Sequence, residues 1–155
     1  MNLDFERKEE INYSIIIPHK NSTVLLERCL KSIPCRKDVQ VIVVDDNSEN
    51  QEELNAVVGG FSQVELILTQ GGGAGHARNE GLKYIRGKWV LFADADDFYN
   101  KNAFSILDNY INSDNDVIYF FANSLDVNTL LPTPREKDLQ NIYEKYDSDN
   151  IRSAD

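Results

Sequence analysis

Short hydrophobic runs alternate with amphipathic stretches along most of this chain. Each run is five or six residues long and rich in β-branched and aromatic side chains, which is typical of strands buried on both faces of a sheet. We therefore predict five strands, at residues 13–17, 39–44, 64–68, 88–93 and 116–121.

The amphipathic stretches between these runs predict helices. Their hydrophobic spacing, together with glycine and proline at their ends, places the helices at residues 22–33, 50–58, 75–85 and 101–111. Ser48 is the expected N-cap of the second helix. Regular alternation of strands and helices predicts an α/β fold: a doubly wound, mostly parallel, Rossmann-like sheet with helices on both faces.

A chain of 155 residues with 41% hydrophobic content has the size and composition of one folded domain, which we expect at residues 13–123. Residues 1–12 form a charged lead-in, and residues 124–155 form a partial C-terminal extension with a polar tail. The hydrophobic runs are far shorter than the roughly 18 residues of a membrane span. Cys29 and Cys35 lack the spacing of a zinc site, and no secretory segment precedes them, so we expect ordinary thiols in a cytoplasmic protein.

The net charge of −10 excludes a nucleic-acid-binding surface, which requires clustered lysine and arginine. An acidic protein that binds an anionic nucleotide needs a cation between the two. Asp94, Asp96 and Asp97 follow the fourth predicted strand, at the sheet edge where ligands of doubly wound folds bind. Such carboxylates suit Mg²⁺ or Mn²⁺, which takes one or two of them plus substrate phosphates. The alternative is a solvated acidic turn in which Asp97 or Asn100 caps the next helix.

Two further groups of polar residues follow strands at the same edge. Asp45 and Asp46 end the second strand, where a carboxylate can accept a hydrogen bond from a nucleobase or from ribose, or else cap the next helix. The glycine-rich segment 70–79 lacks the complete frames of the known phosphate-binding loops. It still brings backbone N–H groups and Arg78 towards an anion, unless Arg78 only forms a surface ion pair with the acidic cluster.

Taken in order, four segments closely resemble family 2 glycosyltransferases of the GT-A fold. They are SIIIP at 14–18, VVDDNS at 43–48, GHARNEG at 75–81 and FADADD at 92–97. The resemblance covers about residues 13 to 121. It implies an inverting glycosyltransferase that uses a nucleoside diphosphate sugar, most commonly a UDP-sugar, with Mg²⁺ or Mn²⁺, and a glycan or lipid-linked acceptor.

The resemblance also implies roles for individual residues. Pro18 and Asp46 correspond to the base pocket, and Arg78 lies near the donor. The first aspartate of the D-x-D element binds ribose and the last binds metal, which assigns the metal to Asp96. His19 stands where the family more usually has a tyrosine-type residue. Together with the argument from the strand ends, the predicted nucleotide-sugar site consists of Pro18, Asp45, Asp46, Arg78, Asp94 and Ala95.

Family members continue into an acceptor region that carries the general base, and no version of that motif surrounds Asp147, Asp149 or Asp155. The catalytic base is therefore unassigned, and we expect the chain to be the donor portion of a longer protein at the cytoplasmic face of the membrane. One alternative is a nucleotide-sugar-binding module without transfer activity. A phospho-receiver domain fits poorly, because Thr69 and Ala122 follow the third and fifth strands where that class has aspartate and lysine.

Overall fold

The computed structural model describes residues 10–118. Four strands of this part form one parallel sheet with the spatial order β3-β2-β1-β4. Ile15 in the central strand β1 lies opposite Val41 of β2 and Leu91 of β4. The strands are β1 (Tyr13–His19), β2 (Val39–Asp45), β3 (Val64–Leu68) and β4 (Trp89–Phe92).

A helix follows each of the four strands, as the sequence pattern predicts. The helices are α1 (Thr23–Ser32), α2 (Gln51–Val58), α3 (Gly73–Gly81) and α4 (Ala103–Leu107), with short 3-10 turns at Leu82–Tyr84 and Asp108–Tyr110. The prediction of Ser48 as the cap of α2 is wrong. Asn50 is the N-cap, and its side chain accepts a hydrogen bond from the backbone N–H of Glu53. The hydroxyl of Ser48 donates to Asp45 instead.

Each face of the sheet packs against helices. On one face, alternate residues of β1 and β2 pack with α1, α2 and α4 in a core that includes Ile15, Ile17, Leu26, Leu30, Val41, Val43, Leu54 and Phe104. On the other face, Ile16, Ile42 and Val44 pack against Ala77 of α3. Full burial of each such aliphatic side chain contributes about 1.5–3 kcal/mol. The predicted doubly wound, parallel α/β fold is confirmed.

Helix α3 presents a glycine, Gly81, to the sheet. A Cβ atom at Gly81 would lie 2.7 Å from Cγ2 of Ile16 and 3.2 Å from Cγ2 of Val44. The missing side chain therefore lets α3 pack directly on β1 and β2. This packing fixes the position of Arg78, which lies one turn before Gly81.

Several predicted segments lie wholly or mostly outside the described residues. They include the lead-in, the C-terminal extension and most of the fifth strand at 116–121, of which the described residues 116–118 contain no strand. The chain divides into two compact units, Met1–Ser113 and Asp114–Asp155, and all the elements named above belong to the first. Within residues 10–118, every helix is too short or too polar to cross a membrane.

Candidate functional site

A cleft of about 640 Å³ opens at the carboxyl ends of the central strands. Its walls come from the ends of β1 and β2, the start of α3 and the turn that follows β4. Six of the seven residues predicted from the sequence as donor or metal ligands line it: Pro18, Asp46, Arg78, Asp94, Ala95 and Asp96.

Asp46 lies at the base of the cleft, with only 5% of its surface exposed. Its carboxylate accepts a 2.9 Å hydrogen bond from the backbone N–H of Gly73 and lies 3.4 Å from Nζ of Lys20. The backbone N–H of Asp46 donates to the carbonyl oxygen of His19 at 2.8 Å. Asp46 therefore joins the ends of β1 and β2 to the start of α3.

Asp45, the seventh predicted residue, is fully buried beneath the cleft and does not line it. Its carboxylate accepts hydrogen bonds from the backbone N–H and hydroxyl of Ser48, from Nε2 of Gln51 and from His19. Burial acts to raise the pKa of Asp45, but these hydrogen bonds outweigh it and hold the pKa below its ordinary value. The ionised carboxylate thus organises the loop between β2 and α2.

The hydrogen bonds of His19 define its tautomer. Its Nε2 accepts the backbone N–H of Ser22 at 3.1 Å, so the ring proton lies on Nδ1, which donates to Asp45 at 2.9 Å. Asn21 adds a second connection, because its N–H donates to the hydroxyl of Ser48 at 2.9 Å. Hydrogen bonds therefore connect the loop after β1 with the loop after β2. The sequence gives no sign of this role for His19, which depends on its pairing with Asp45 across the sheet.

The glycine run forms one wall of the cleft. Its backbone has positive φ angles, which residues other than glycine adopt only with strain. Gly71, Gly72 and Gly73 have φ values of 99°, 136° and 84°. This conformation brings the N–H of Gly73 to Asp46 and leaves Gly72 and Gly73 lining the cleft.

The acidic cluster after β4 is a closed turn. The N–H of Asp97 donates to the carbonyl of Asp94 at 2.9 Å, and the N–H of Asp94 donates to the carboxylate of Asp97 at 3.2 Å. The side chain of Asp97 therefore closes the turn, and the N-cap of α4 is Asn102, which makes no side-chain capping bond. Asp96 is exposed in the cleft, and its carboxylate has no hydrogen bond or ion pair within residues 10–118.

Arg78 forms an ion pair with Asp94 across the cleft wall. The two side chains are 33% and 54% exposed, so both remain accessible to a ligand. The ion pair with the acidic cluster, predicted as the alternative role of Arg78, is thus present and lies within the cleft. In the described part of the chain, no three histidine, cysteine or acidic side chains come together as a metal site. Of the carboxylates that line the cleft, those of Asp94 and Asp96 belong to exposed residues, whereas Asp46 is buried.

Two residues of α1 form hydrogen bonds with the segment that contains the acidic turn, and the sequence pattern predicts neither of them. Nη2 of Arg28 donates to the backbone carbonyl of Asp96, and its guanidinium carbon lies 5.3 Å from the centre of the Phe98 ring. The hydroxyl of Ser32 accepts the N–H of Tyr99 at 2.9 Å. The helical periodicity identifies the buried face of α1, but it gives no signal for polar contacts with a segment more than 60 residues away.

Comparison with known proteins assigns the family. The sequence profile of Glycosyl transferase family 2 matches residues 14–153, which is most of the chain. The chain belongs to glycosyl transferase family 2.

Relatives of this family 2 chain include bacterial enzymes of known name. A poly(ribitol-phosphate) beta-glucosyltransferase of Bacillus spizizenii is 34% identical over 98 residues, which is 58% of this chain and 16% of that protein. The poly(ribitol-phosphate) beta-N-acetylglucosaminyltransferase TarS of Staphylococcus aureus is 38% identical over 106 residues, which is 60% of this chain and 18% of TarS. The match thus spans less than a fifth of each relative.

The crystal structure of S. aureus TarS 1–349 resembles this family 2 domain, with a TM-score of 0.58 and 28% sequence identity. The match covers 65% of this chain and 32% of that structure. It agrees with the GT-A-like, doubly wound sheet described above.

Proposed function

We propose that this chain binds the nucleoside diphosphate sugar donor of an inverting glycosyltransferase, with UDP-sugars as the preferred donors. The observation that carries the proposal is the convergence of six predicted residues, from four separate segments, on one cleft. Its volume of about 640 Å³ suits a ligand of nucleotide-sugar size, because small-molecule pockets span roughly 300–1,000 Å³.

The polar groups of the cleft suit the successive parts of such a donor. Asp46, beside Pro18 at the base, supplies a carboxylate that accepts a hydrogen bond from a nucleobase N–H. Asp94 accepts hydrogen bonds from ribose hydroxyls, and Arg78 next to it offers a planar guanidinium to the diphosphate. A bound diphosphate would compete with Asp94 for Arg78.

The acidic turn suits a divalent metal of the Mg²⁺ or Mn²⁺ type. These ions take oxygen ligands and use one or two carboxylates together with substrate phosphates and water, which is what Asp96 and Asp94 provide. When bound, the cation offsets the charge that develops on the departing nucleoside diphosphate. Without a cation, the carboxylates of a chain with a net charge of −10 would repel the diphosphate.

The proposed reaction is a single in-line displacement. The oxygen of an acceptor hydroxyl bonds to the anomeric carbon while the bond from that carbon to the diphosphate breaks, which inverts the configuration. The hydroxyl proton passes to a general base that we do not assign to any residue of this chain. The acceptor is a glycan or a lipid-linked molecule, and a poly(ribitol phosphate) is the first to test because two relatives are named for it.

We further propose a cytoplasmic location, and the cytoplasmic face of the membrane for the full-length protein. The free thiols of Cys29 and Cys35 agree with a reducing compartment. The alternative of a binding module without transfer gains no support from the family match, since the relatives above are named as transferases.

Isothermal titration calorimetry with UDP, in Mn²⁺ and then in EDTA, tests the proposal. We expect Asp96→Ala to remove the metal-dependent part of the UDP affinity. Glu52→Ala, which removes an exposed carboxylate of α2 outside the cleft, should leave it unchanged. The metal assignment is wrong if Asp96→Ala retains that affinity. A donor-hydrolysis assay on the same protein then separates an enzyme from a module that only binds.

A further inference from the structure

Arg28 contacts the acidic turn without lining the cleft. It lies on α1, and one of its N–H groups donates to the backbone carbonyl of Asp96 while its guanidinium lies over the ring of Phe98. Its Nε is buried and has no hydrogen-bond partner within the described residues. A buried donor without a partner is costly, and this cost opposes the stabilisation from the contacts with Asp96 and Phe98.

The direction of the Asp96 carboxylate depends on the backbone that carries it. This side chain lines the cleft and has no hydrogen bond or ion pair of its own in the described part of the chain, so its position depends on the backbone of the turn. The turn is closed internally between Asp94 and Asp97, and the contact from Arg28 attaches the carbonyl of Asp96 to α1. Arg28 is therefore placed to control how the metal-binding carboxylate is presented.

We propose that Arg28 is a positioning residue for the metal site, acting through the backbone of Asp96. This inference rests on the proposed function. Arginine suits the role because its planar fork can donate to a carbonyl while the plane stacks on an aromatic ring, which the ammonium of lysine does not do. Its charge also lies behind the three carboxylates of Asp94, Asp96 and Asp97, where it reduces their mutual repulsion without occupying the cleft.

The test measures the affinity of the 155-residue chain for Mn²⁺ in the presence of UDP, and for UDP in EDTA. Arg28→Met removes both the donor and the charge, and Arg28→Lys retains only the charge. We expect Arg28→Met to raise the Mn²⁺ dissociation constant about 10- to 100-fold, the usual effect of losing a group that orients a metal ligand. Arg28→Lys should fall between Arg28→Met and wild type. The affinity for UDP in EDTA should stay the same.

Lys31→Met is the matched control, because it removes a positive charge from the same helix at a side chain that is 63% exposed and paired with Glu27. We expect it to bind Mn²⁺ as wild type does. Thermal unfolding of each variant shows whether the fold is intact.

Three results would overturn the inference. The first is wild-type Mn²⁺ affinity in folded Arg28→Met or, if that variant does not fold, in Arg28→Lys. The second is an equal loss of UDP affinity in EDTA, which would make Arg28 a direct phosphate ligand. The third is an equal effect of Lys31→Met, which would reduce the role to net charge. If wild-type protein shows no metal-dependent UDP affinity, the proposed function itself fails, and that result precedes any variant.

Discussion

His19 and Asp45 form a hydrogen bond of 2.9 Å between Nδ1 and Oδ1, in surroundings that leave their side chains 0% and 1% exposed. The parallel register places the two residues directly opposite each other at the ends of β1 and β2. Asp46, the next residue, lies in the cleft instead. Two adjacent aspartates therefore have different tasks, one beneath the site and one inside it.

Asp45→Asn should lower the free energy of unfolding by about 2–3 kcal/mol, because an amide oxygen replaces a buried carboxylate that accepts several hydrogen bonds. The amide nitrogen would also face donors, which adds to the cost. Urea denaturation at neutral pH measures the change. A loss below about 0.5 kcal/mol, within the range of ordinary surface substitutions, would contradict the structural role of Asp45.

Asp46→Asn should weaken UDP binding and leave the free energy of unfolding almost unchanged. Its oxygen can still accept the N–H of Gly73, so stability should change little, whereas UDP affinity should fall about tenfold through loss of a charged acceptor. Calorimetry on both variants provides the comparison. If Asp45→Asn weakens UDP binding while Asp46→Asn does not, the assignment of the base pocket is reversed.

The pair Asp45–Asp46 shows what the sequence can and cannot predict. The hydrophobic runs predict the strands, and the topology of a parallel sheet predicts that residues after them meet at one edge. The sequence Asp45-Asp46 does not show which aspartate is buried beneath the cleft. That depends on the residue opposite it in the neighbouring strand, which is His19 for Asp45. The contact of Arg28 with Asp96 has no local sequence pattern either, because it joins α1 to a residue 68 positions further along the chain. Ser48 is predicted as the cap of α2, but it does not cap the helix because its hydroxyl donates to Asp45.

Asp38 should stabilise the fold at neutral pH and lose this effect in acid. Hydrogen bonds from Arg36 lower the pKa of Asp38 to about 2. Burial opposes this shift in part, and a hydrogen bond from Asn12 adds to it. Since the unfolded chain binds this proton more readily than the folded chain, the stabilisation is present above about pH 4 and is lost as the pH falls towards 2. At pH 7 we expect Asp38→Asn to be less stable by about 1–2 kcal/mol, allowing for solvent screening of a side chain that is 24% exposed.

Unfolding curves of wild type and Asp38→Asn between pH 7 and pH 2 test this expectation. The gap between the two proteins should narrow as the pH falls. A gap of constant size would show that the ion pair with Arg36 does not depend on ionisation of Asp38.

Gly81→Ala should destabilise the fold by about 1–3 kcal/mol, because the new methyl group would overlap the side chain of Ile16 and push α3 away from the sheet. Gly75→Ala is the matched control in the same helix. A Cβ at Gly75 meets no atom within 4 Å, so this change should be neutral or stabilising by up to about 1 kcal/mol. Thermal melts of both variants measure the difference, and equal losses would show that the close contact of Gly81 with Ile16 does not decide the effect.

The two cysteines should differ sharply in reactivity. Burial raises the pKa of the Cys29 thiol to about 12. The nearby carboxylates of Asp97, Asp96 and Asp94 add to this shift, and the charge of Arg28 opposes it. Cys35, in contrast, is exposed. Because the thiolate is the reactive form, a disulfide reagent such as DTNB at pH 8 should modify one thiol rapidly and the second only as the protein unfolds. Cys35→Ser should abolish the rapid phase. A rapid phase that survives this substitution would mean that Cys29 is accessible, and that the core between α1 and the acidic turn opens in the native protein.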